Sequence, residues 1–209
     1  MTDTQRFDQV AGGWDEDPGR VALARAVADA IGRQAGLSPS MDVLDFGTGT
    51  GLLALAVQPY VRSVTGADTS AGMLEVFDRK VRALGLDTVR PYRLDRLESL
   101  SAAGTFDLII SSMTLHHVAD LAALFAQFQA LLRNGGRIAV ADLDTEDGTF
   151  HSPDVTDVHH LGFDREELLA QLAAAGFEDL RETTAFVHHR HGRPYPVFLI
   201  SGRALPTGR

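Results

Sequence analysis

The stretch VLDFGTGTGLLAL, residues 43–55, restricts this chain more than any other. An apolar run closes on Asp45 and Phe46, glycines follow at 47, 49 and 51, and a leucine- and alanine-rich segment begins at once. That order reads as strand, glycine turn, helix. Glycine admits positive φ and leaves room for a ligand against the backbone. The helix that follows presents unpaired N–H groups at the positive end of its dipole. A nucleotide-type ligand on Gly47, Gly49 and Gly51 is the functional reading; a tight strand-to-helix turn without a ligand is the plainer one.

The rest of the chain continues the alternation. Short apolar runs predict strands over 41–46, 61–68, 89–94, 106–112, 137–143, 180–189 and 195–201. Helical spacing predicts helices over 19–36, 51–60, 70–85, 119–136 and 164–176, with Ser70 as an N-cap, Gly85 as a stop, and Pro59 ending the second helix. Pro91 suggests an edge position for the third strand. Alternating strands and helices predict an α/β fold, a mostly parallel sheet covered on both faces. The last two strands break the pattern. Only residues 190–194 separate them, too few for a parallel crossover, so the seventh strand runs antiparallel to the sixth. We expect a single domain over 1–209. Residues 1–36 form an N-terminal helical cap, 41–143 a cofactor-binding half, 144–162 a substrate-side loop, and 163–202 a C-terminal helix and hairpin.

Charge and composition narrow the partners. The formal net charge is −9 and no basic block is longer than a couple of residues, which argues against nucleic acid. There is no cysteine, so disulfides, thiolate metal sites and a cysteine nucleophile are excluded. No apolar run approaches the roughly 20 residues of a membrane span. The start, MTDTQRFDQVAGGWDED, has no secretory pattern, so a cytoplasmic location is expected. A monomer or homodimer is expected.

Two cofactor classes compete for the glycine turn. Dinucleotide binders use G-x-G-x-x-G, whereas here the third glycine comes one residue early and Leu52 takes its place. Asp45 would also face a pyrophosphate unfavourably, and it suits a cofactor with a cationic amino-acid tail. VLDFGTGTG resembles the first motif of the class I S-adenosylmethionine-dependent methyltransferases. VTGADTSAGML, YRLDRLESL, FDLIISSMTLHHVAD and LLRNGGRIAVADL resemble the motifs that follow it, in order, so that the likeness covers roughly residues 5–202. The segment FH…VHHLGFDREELLAQLAAAGF resembles a small-molecule branch related to the ubiquinone and menaquinone biosynthesis enzymes. The resemblance implies a three-layer, Rossmann-like sheet of seven strands with an antiparallel last strand. It also implies methyl transfer from S-adenosylmethionine to an oxygen, nitrogen or sulfur of a small-molecule acceptor, with S-adenosylhomocysteine as product. A non-catalytic S-adenosylmethionine-binding protein and a dinucleotide-dependent oxidoreductase are the alternatives.

Site residues follow from the same matches. Asp68, with Thr69 beside it, is expected at the ribose diol, because a carboxylate accepts from both hydroxyls. Met73 is a candidate for the adenine face. Asp95, with Arg96 and Leu97, is expected at the adenine amino group, or Asp95 serves only as a helix cap. Ser111 or Ser112 ends the fourth strand, where open α/β sheets bind ligands. Arg20 is the candidate partner for the methionine carboxylate and Trp14 a candidate lid. His116 and His117 follow the fourth strand, where either is a candidate base or acceptor-orienting group; both can equally be packing residues. In the 144–162 loop, His151, His159 and His160 are candidate substrate contacts. Imidazoles and carboxylates in this loop make a metal site conceivable, but their spacing matches no ligand signature, and no metal is expected. The basic turn HHRHGRP, 188–194, reads as a solvated hairpin, or as a patch for an anionic substrate.

Overall fold

Along each central strand successive side chains enter opposite cores, as a sheet covered on both faces requires. Val43 packs on one side with Leu108, Ile110, Val197 and Leu199; Leu44 packs on the other with Ile109, Phe198 and Ile200. The computed structural model describes residues 3–152, 155, 157–190 and 192–206. Pro153, Asp154 and Thr156 of the substrate-side loop, His191 of the basic turn, and residues 1–2 and 207–209 lie outside the described residues.

Seven strands form one sheet: β1 (Asp42–Phe46), β2 (Ser63–Asp68), β3 (Val89–Arg93), β4 (Phe106–Ser112), β5 (Leu132–Leu143), β6 (Phe177–Arg190) and β7 (Arg193–Ala204). Their order is β3-β2-β1-β4-β5-β7-β6. The first five pair in parallel, while β7 runs antiparallel to both β5 and β6, with Val140 opposite Ile200 and Thr183 opposite Leu199. The antiparallel last strand expected from the short connection is present. The hairpin is tighter than the sequence suggested, closing at Gly192 with φ +75°.

Helices α1 (Asp3–Val10), α2 (Pro18–Gln34), α3 (Leu52–Val57) and α4 (Ala71–Ala83) precede α5 (Leu121–Leu131) and α6 (Arg165–Ala174). Val27 and Ile31 of α2, Leu53 of α3 and Phe77 of α4 fill the first core; Phe125 and Phe128 of α5 and Leu168 and Leu172 of α6 fill the second. Ser70 caps α4 as expected, accepting from the Met73 N–H at 3.1 Å, and Gly85 follows its end at φ +64°. Trp14 stands on a short 3-10 helix, Ala11–Glu16, between α1 and α2.

Two helix ends differ from the expectation. The helix placed over 119–136 stops at Leu131, and Leu132 already pairs with Phe106 on β4. Arg133 accounts for the early end: in the extended segment its guanidinium reaches Asp107 at 2.6 Å and Asp42 at 2.9 Å, partners a continued helix would turn away from. The helix placed over 51–60 ends at Val57, and Pro59 sits in a 3-10 turn, Gln58–Tyr60.

Strand β1 lies between β2 and β4, and the connection after β1 leads to β2 on one side while that after β4 leads to β5 on the other. That is the switch point at which open α/β sheets leave a crevice. The N-terminal segment closes over it on two carboxylates. Asp8 accepts from the Ser70 hydroxyl at 2.6 Å and the Gly72 N–H at 2.8 Å; Asp15 accepts from the Thr50 hydroxyl at 2.5 Å and Lys80 at 2.7 Å.

Candidate functional site

The glycine turn divides its work. Gly47, Gly49 and Gly51 all have positive φ, +73°, +53° and +81°. A Cβ at Gly47 would collide with Thr114 and one at Gly51 with the Phe77 ring, whereas one at Gly49 would meet only the Met73 sulfur, at 4.0 Å. The outer two glycines therefore let the turn pack tightly, and the middle one faces open space. The turn is anchored by the Gly47 and Thr48 N–H groups, which donate to the Ala67 carbonyl at 2.8 and 3.0 Å.

Two carboxylates flank this turn. Asp45 is 1% exposed and accepts from the Thr48 hydroxyl at 2.7 Å. Burial, with a smaller push from Asp68 across the turn, raises its pKa to about 7. Asp68, at the end of β2, accepts from the Gly49 N–H and the Ser70 N–H, both at 2.8 Å. Burial raises it as well, and those backbone bonds offset part of the rise.

Both acids face a cavity of about 530 Å³, within the size range of small-molecule sites. Trp14, Arg20, Asp45, Gly47, Gly49, Asp68, Thr69, Met73 and Ser112 of the expected set line it, together with His116, His117 and His151. The Ser112 hydroxyl is buried there without a hydrogen-bond partner among the described residues. Arg20 lies flat over the Trp14 indole, 3.7 Å from its centroid, and donates to the Trp14 carbonyl at 3.1 Å.

The structure places the other expected residues away from the wall of this cavity. Ser111 points to the opposite side of β4 from Ser112 and donates to the Phe46 carbonyl at 2.8 Å, inside the sheet. Gly51 supports the turn from behind against Phe77 and does not line the cavity. After β3 the extended chain directs Leu94 into the cavity, so Asp95 and Arg96 are exposed outside it, and Leu97 packs against the second core. His159 is exposed and its N–H donates to the His116 carbonyl at 2.9 Å. His160 bonds the Val118 carbonyl at 3.0 Å through Nε2 and borders a separate depression beside Asp164 and Glu167. The two fasten the loop to the His116 segment and stay out of the cavity.

The histidines that do reach the cavity form a cluster. The rings of His116 and His117 lie 4.1 Å apart, and that of His151 lies 5.0 and 5.9 Å from them. Behind His116 stands the fully buried Asp142 of β5, whose Oδ1 is 2.7 Å from Nδ1. Burial would raise Asp142, but the His116 ring and the Leu143 and His116 N–H groups outweigh it and hold the carboxyl below its ordinary value. His117 donates from Nδ1 to the Asp157 carbonyl at 2.8 Å. Burial and the neighbouring His116 lower the His117 pKa, and burial with both neighbours lowers that of His151 to about 4.

The sequence reading missed Arg6, Phe7, Phe150 and Asp157, which also line the cavity; Arg190, from the basic turn, joins them. The same reading also missed Asp142. An acid inside the apolar run RIAVADL was the available signal, because a buried carboxylate requires a partner.

The chain belongs to the methyltransferase-domain family, whose model matches residues 20–182. Among its relatives, an uncharacterized methyltransferase of Schizosaccharomyces pombe is 33% identical over 144 residues, 62% of this chain and 50% of the relative. A ubiquinone biosynthesis O-methyltransferase of Methylocella silvestris is 31% identical over 163 residues, 68% of this chain and 63% of the relative. The chain thus spans between about half and two thirds of the length of these relatives. The fold matches that of DhpI, solved as a complex with S-adenosylhomocysteine, with a TM-score of 0.73 over 98% of this chain and 96% of that one at 21% identity. It also matches the YcgJ protein of Bacillus subtilis, with a TM-score of 0.67 over 87% of this chain and 99% of that one at 20% identity.

Proposed function

We propose that this chain binds S-adenosylmethionine in the cavity over the glycine turn and transfers its methyl group to an oxygen, nitrogen or sulfur of a small-molecule acceptor. The observation that carries the reading is a cavity lined both by Gly49, Asp45 and Asp68 and by His116, His117 and His151. The donor fits the residues present. Gly49 leaves space where a side chain would stand, and Ser112 offers a buried hydroxyl with no partner among the described residues.

When bound, the donor supplies a methyl group already activated on a sulfonium, so the protein's task is mainly binding and alignment. Asp68, held rigidly by two N–H bonds, is the acceptor for the ribose hydroxyls. Asp45 is the anion for the cationic amino-acid end. Arg20, braced on Trp14, is the cation for its carboxylate. Met73 and Leu94 provide apolar cover. His117 has Nδ1 committed to the Asp157 carbonyl, which leaves Nε2 with the lone pair to orient an acceptor or take its proton.

The test is calorimetric titration with S-adenosylhomocysteine and NADH. Micromolar binding of the first, weakened at least about 10-fold in Asp68→Ala, supports the reading, because losing a hydrogen bond that a charged group makes to ligand removes about 1.5–3 kcal/mol. Binding of NADH instead overturns it. Screening acceptors by mass then separates an enzyme from a protein that only holds the cofactor.

A further inference from the structure

A cluster of three imidazoles in one cavity calls for an explanation, because packing alone does not arrange their nitrogens. One ring nitrogen from each of His116, His117 and His151 lies within 4.8 Å of the others. Nitrogens bound to a tetrahedral ion at roughly 2.0–2.1 Å stand about 3.4 Å apart, so small ring rotations close the set. His151 can supply such a rotation, since it is carried on the loop after β5.

The surroundings suit an ion as well. Ligating histidines characteristically donate their other N–H to a carboxylate or a backbone carbonyl, which fixes tautomer and orientation. His116 does so to Asp142 Oδ1 at 2.7 Å, and His117 to the Asp157 carbonyl at 2.8 Å. In both, Nδ1 is committed, so the nitrogen left to meet an ion is Nε2. Arg6 and Arg190 also line the cavity, and the carboxylates of Asp142 and Asp157 oppose them in the field at the cluster.

We propose that His116, His117 and His151 form a three-histidine site for a divalent transition metal of the zinc class, placed at the acceptor end of the cavity. Three neutral nitrogens and no carboxylate in the ligand set select zinc, iron, nickel or copper ions over magnesium or calcium. The cavity leaves a fourth position open, the arrangement of a catalytic rather than a structural site. Its consequence for catalysis rests on the methyl-transfer reading. A hydroxyl or thiol acceptor bound at the open position has its pKa lowered by the ion and gives its proton to water. The acceptor's lone pair then forms the bond to the methyl carbon. The carbon–sulfur bond breaks, and its electron pair neutralises the sulfonium to give S-adenosylhomocysteine. In the metal-loaded protein the histidine lone pairs lie on the ion, so the ion takes over the role given above to His117 Nε2.

The test uses the full untagged chain, dialysed against a chelator and titrated with Zn²⁺ by calorimetry and with Co²⁺ by visible absorption. Uptake of one equivalent per chain is expected, weakened more than about 100-fold by His151→Ala and about 10- to 100-fold by Asp142→Asn. His189→Ala, which alters an exposed histidine on β6, leaves uptake unchanged. His151→Ala removes a loop side chain, and circular dichroism verifies its fold. Absence of saturable uptake, or uptake indifferent to His151→Ala, overturns the site. S-adenosylhomocysteine binding is measured on the same samples. Metal uptake without nucleoside binding keeps the site and sinks the donor assignment; nucleoside binding without metal uptake does the reverse.

Discussion

At the residue scale the most informative group is Asp45. Its carboxyl has the Thr48 hydroxyl, a weaker backbone bond from Ala54 and, among the described residues, no cation, so burial raises its pKa to about 7. A cationic ligand tail favours the ionised form. Binding therefore expels a proton from the fraction of molecules that carry one, and affinity rises as pH increases through 7. We expect S-adenosylhomocysteine to bind several-fold more tightly at pH 8 than at pH 6. Calorimetry in buffers of different ionisation enthalpy should record the proton released. In Asp45→Asn the slope disappears and the remaining affinity is that of the acid-side protein. A slope that persists in the variant would assign the titration elsewhere. Asp68 is less suited to this role, because two backbone N–H groups already hold its charge.

At the element scale, the glycine turn and α4 act as one unit. Phe77 is fully buried, and its ring occupies the space a Cβ at Gly51 would need. Gly51→Ala must therefore displace Phe77 while also straining a φ of +81°. Phe77→Ala leaves a void under the turn and should cost about 3–5 kcal/mol in urea unfolding. The double variant Gly51→Ala/Phe77→Ala should cost less than the sum of the two single changes, because one clash is relieved by the other deletion. Strict additivity would mean that the two sites do not meet. The turn itself was readable in the sequence, since three alternating glycines after a strand leave few options, and so was the hairpin, since its connection is short. What governs the site from a distance was not readable. Asp8 and Asp15 lie in a polar segment with no periodicity, yet they tie α1 and its neighbour to Ser70, Gly72, Thr50 and Lys80. The sequence offered His151 as a substrate contact, but not that its ring, more than thirty residues on, would meet those of His116 and His117. Local patterns carry strand direction and turn type; they do not carry which loop folds back on which.

At the scale of the whole molecule, the two ends of the sheet do different work. The carboxyl ends of β1, β2 and β4 hold the buried carboxylates and the cavity, groups whose partners are incomplete until a ligand arrives. At the opposite end a polar network joins the strands. Asp42 at the start of β1 receives Arg62 and Ser63 from the edge of β2 and Arg133 from the start of β5, and its own N–H donates to Asp107 on β4. Four adjacent strands are thereby fastened through two carboxylates, those of Asp42 and Asp107. The Arg62 bond, with lesser help from Ser63 and Arg133, outweighs the effect of burial and holds the Asp42 carboxyl far below its ordinary value of 3.8. The folded protein therefore resists protonating Asp42, while the unfolded chain does not. This contribution is complete above the unfolded value and is lost as pH falls below about 4 towards the folded one. The network is partly open to water, so its worth at neutral pH is about 1 kcal/mol. Urea unfolding at pH 7 and pH 3 should register that loss in the wild type, and Asp42→Asn should unfold more easily at pH 7 with a smaller further drop at pH 3. Because the cavity lies at the other end of the strands, the same variant should bind S-adenosylhomocysteine as the wild type does. If Asp42→Asn instead weakened that binding while stability held, the two ends of the sheet would be coupled, and the separation argued from Asp42 and Asp45 would fail.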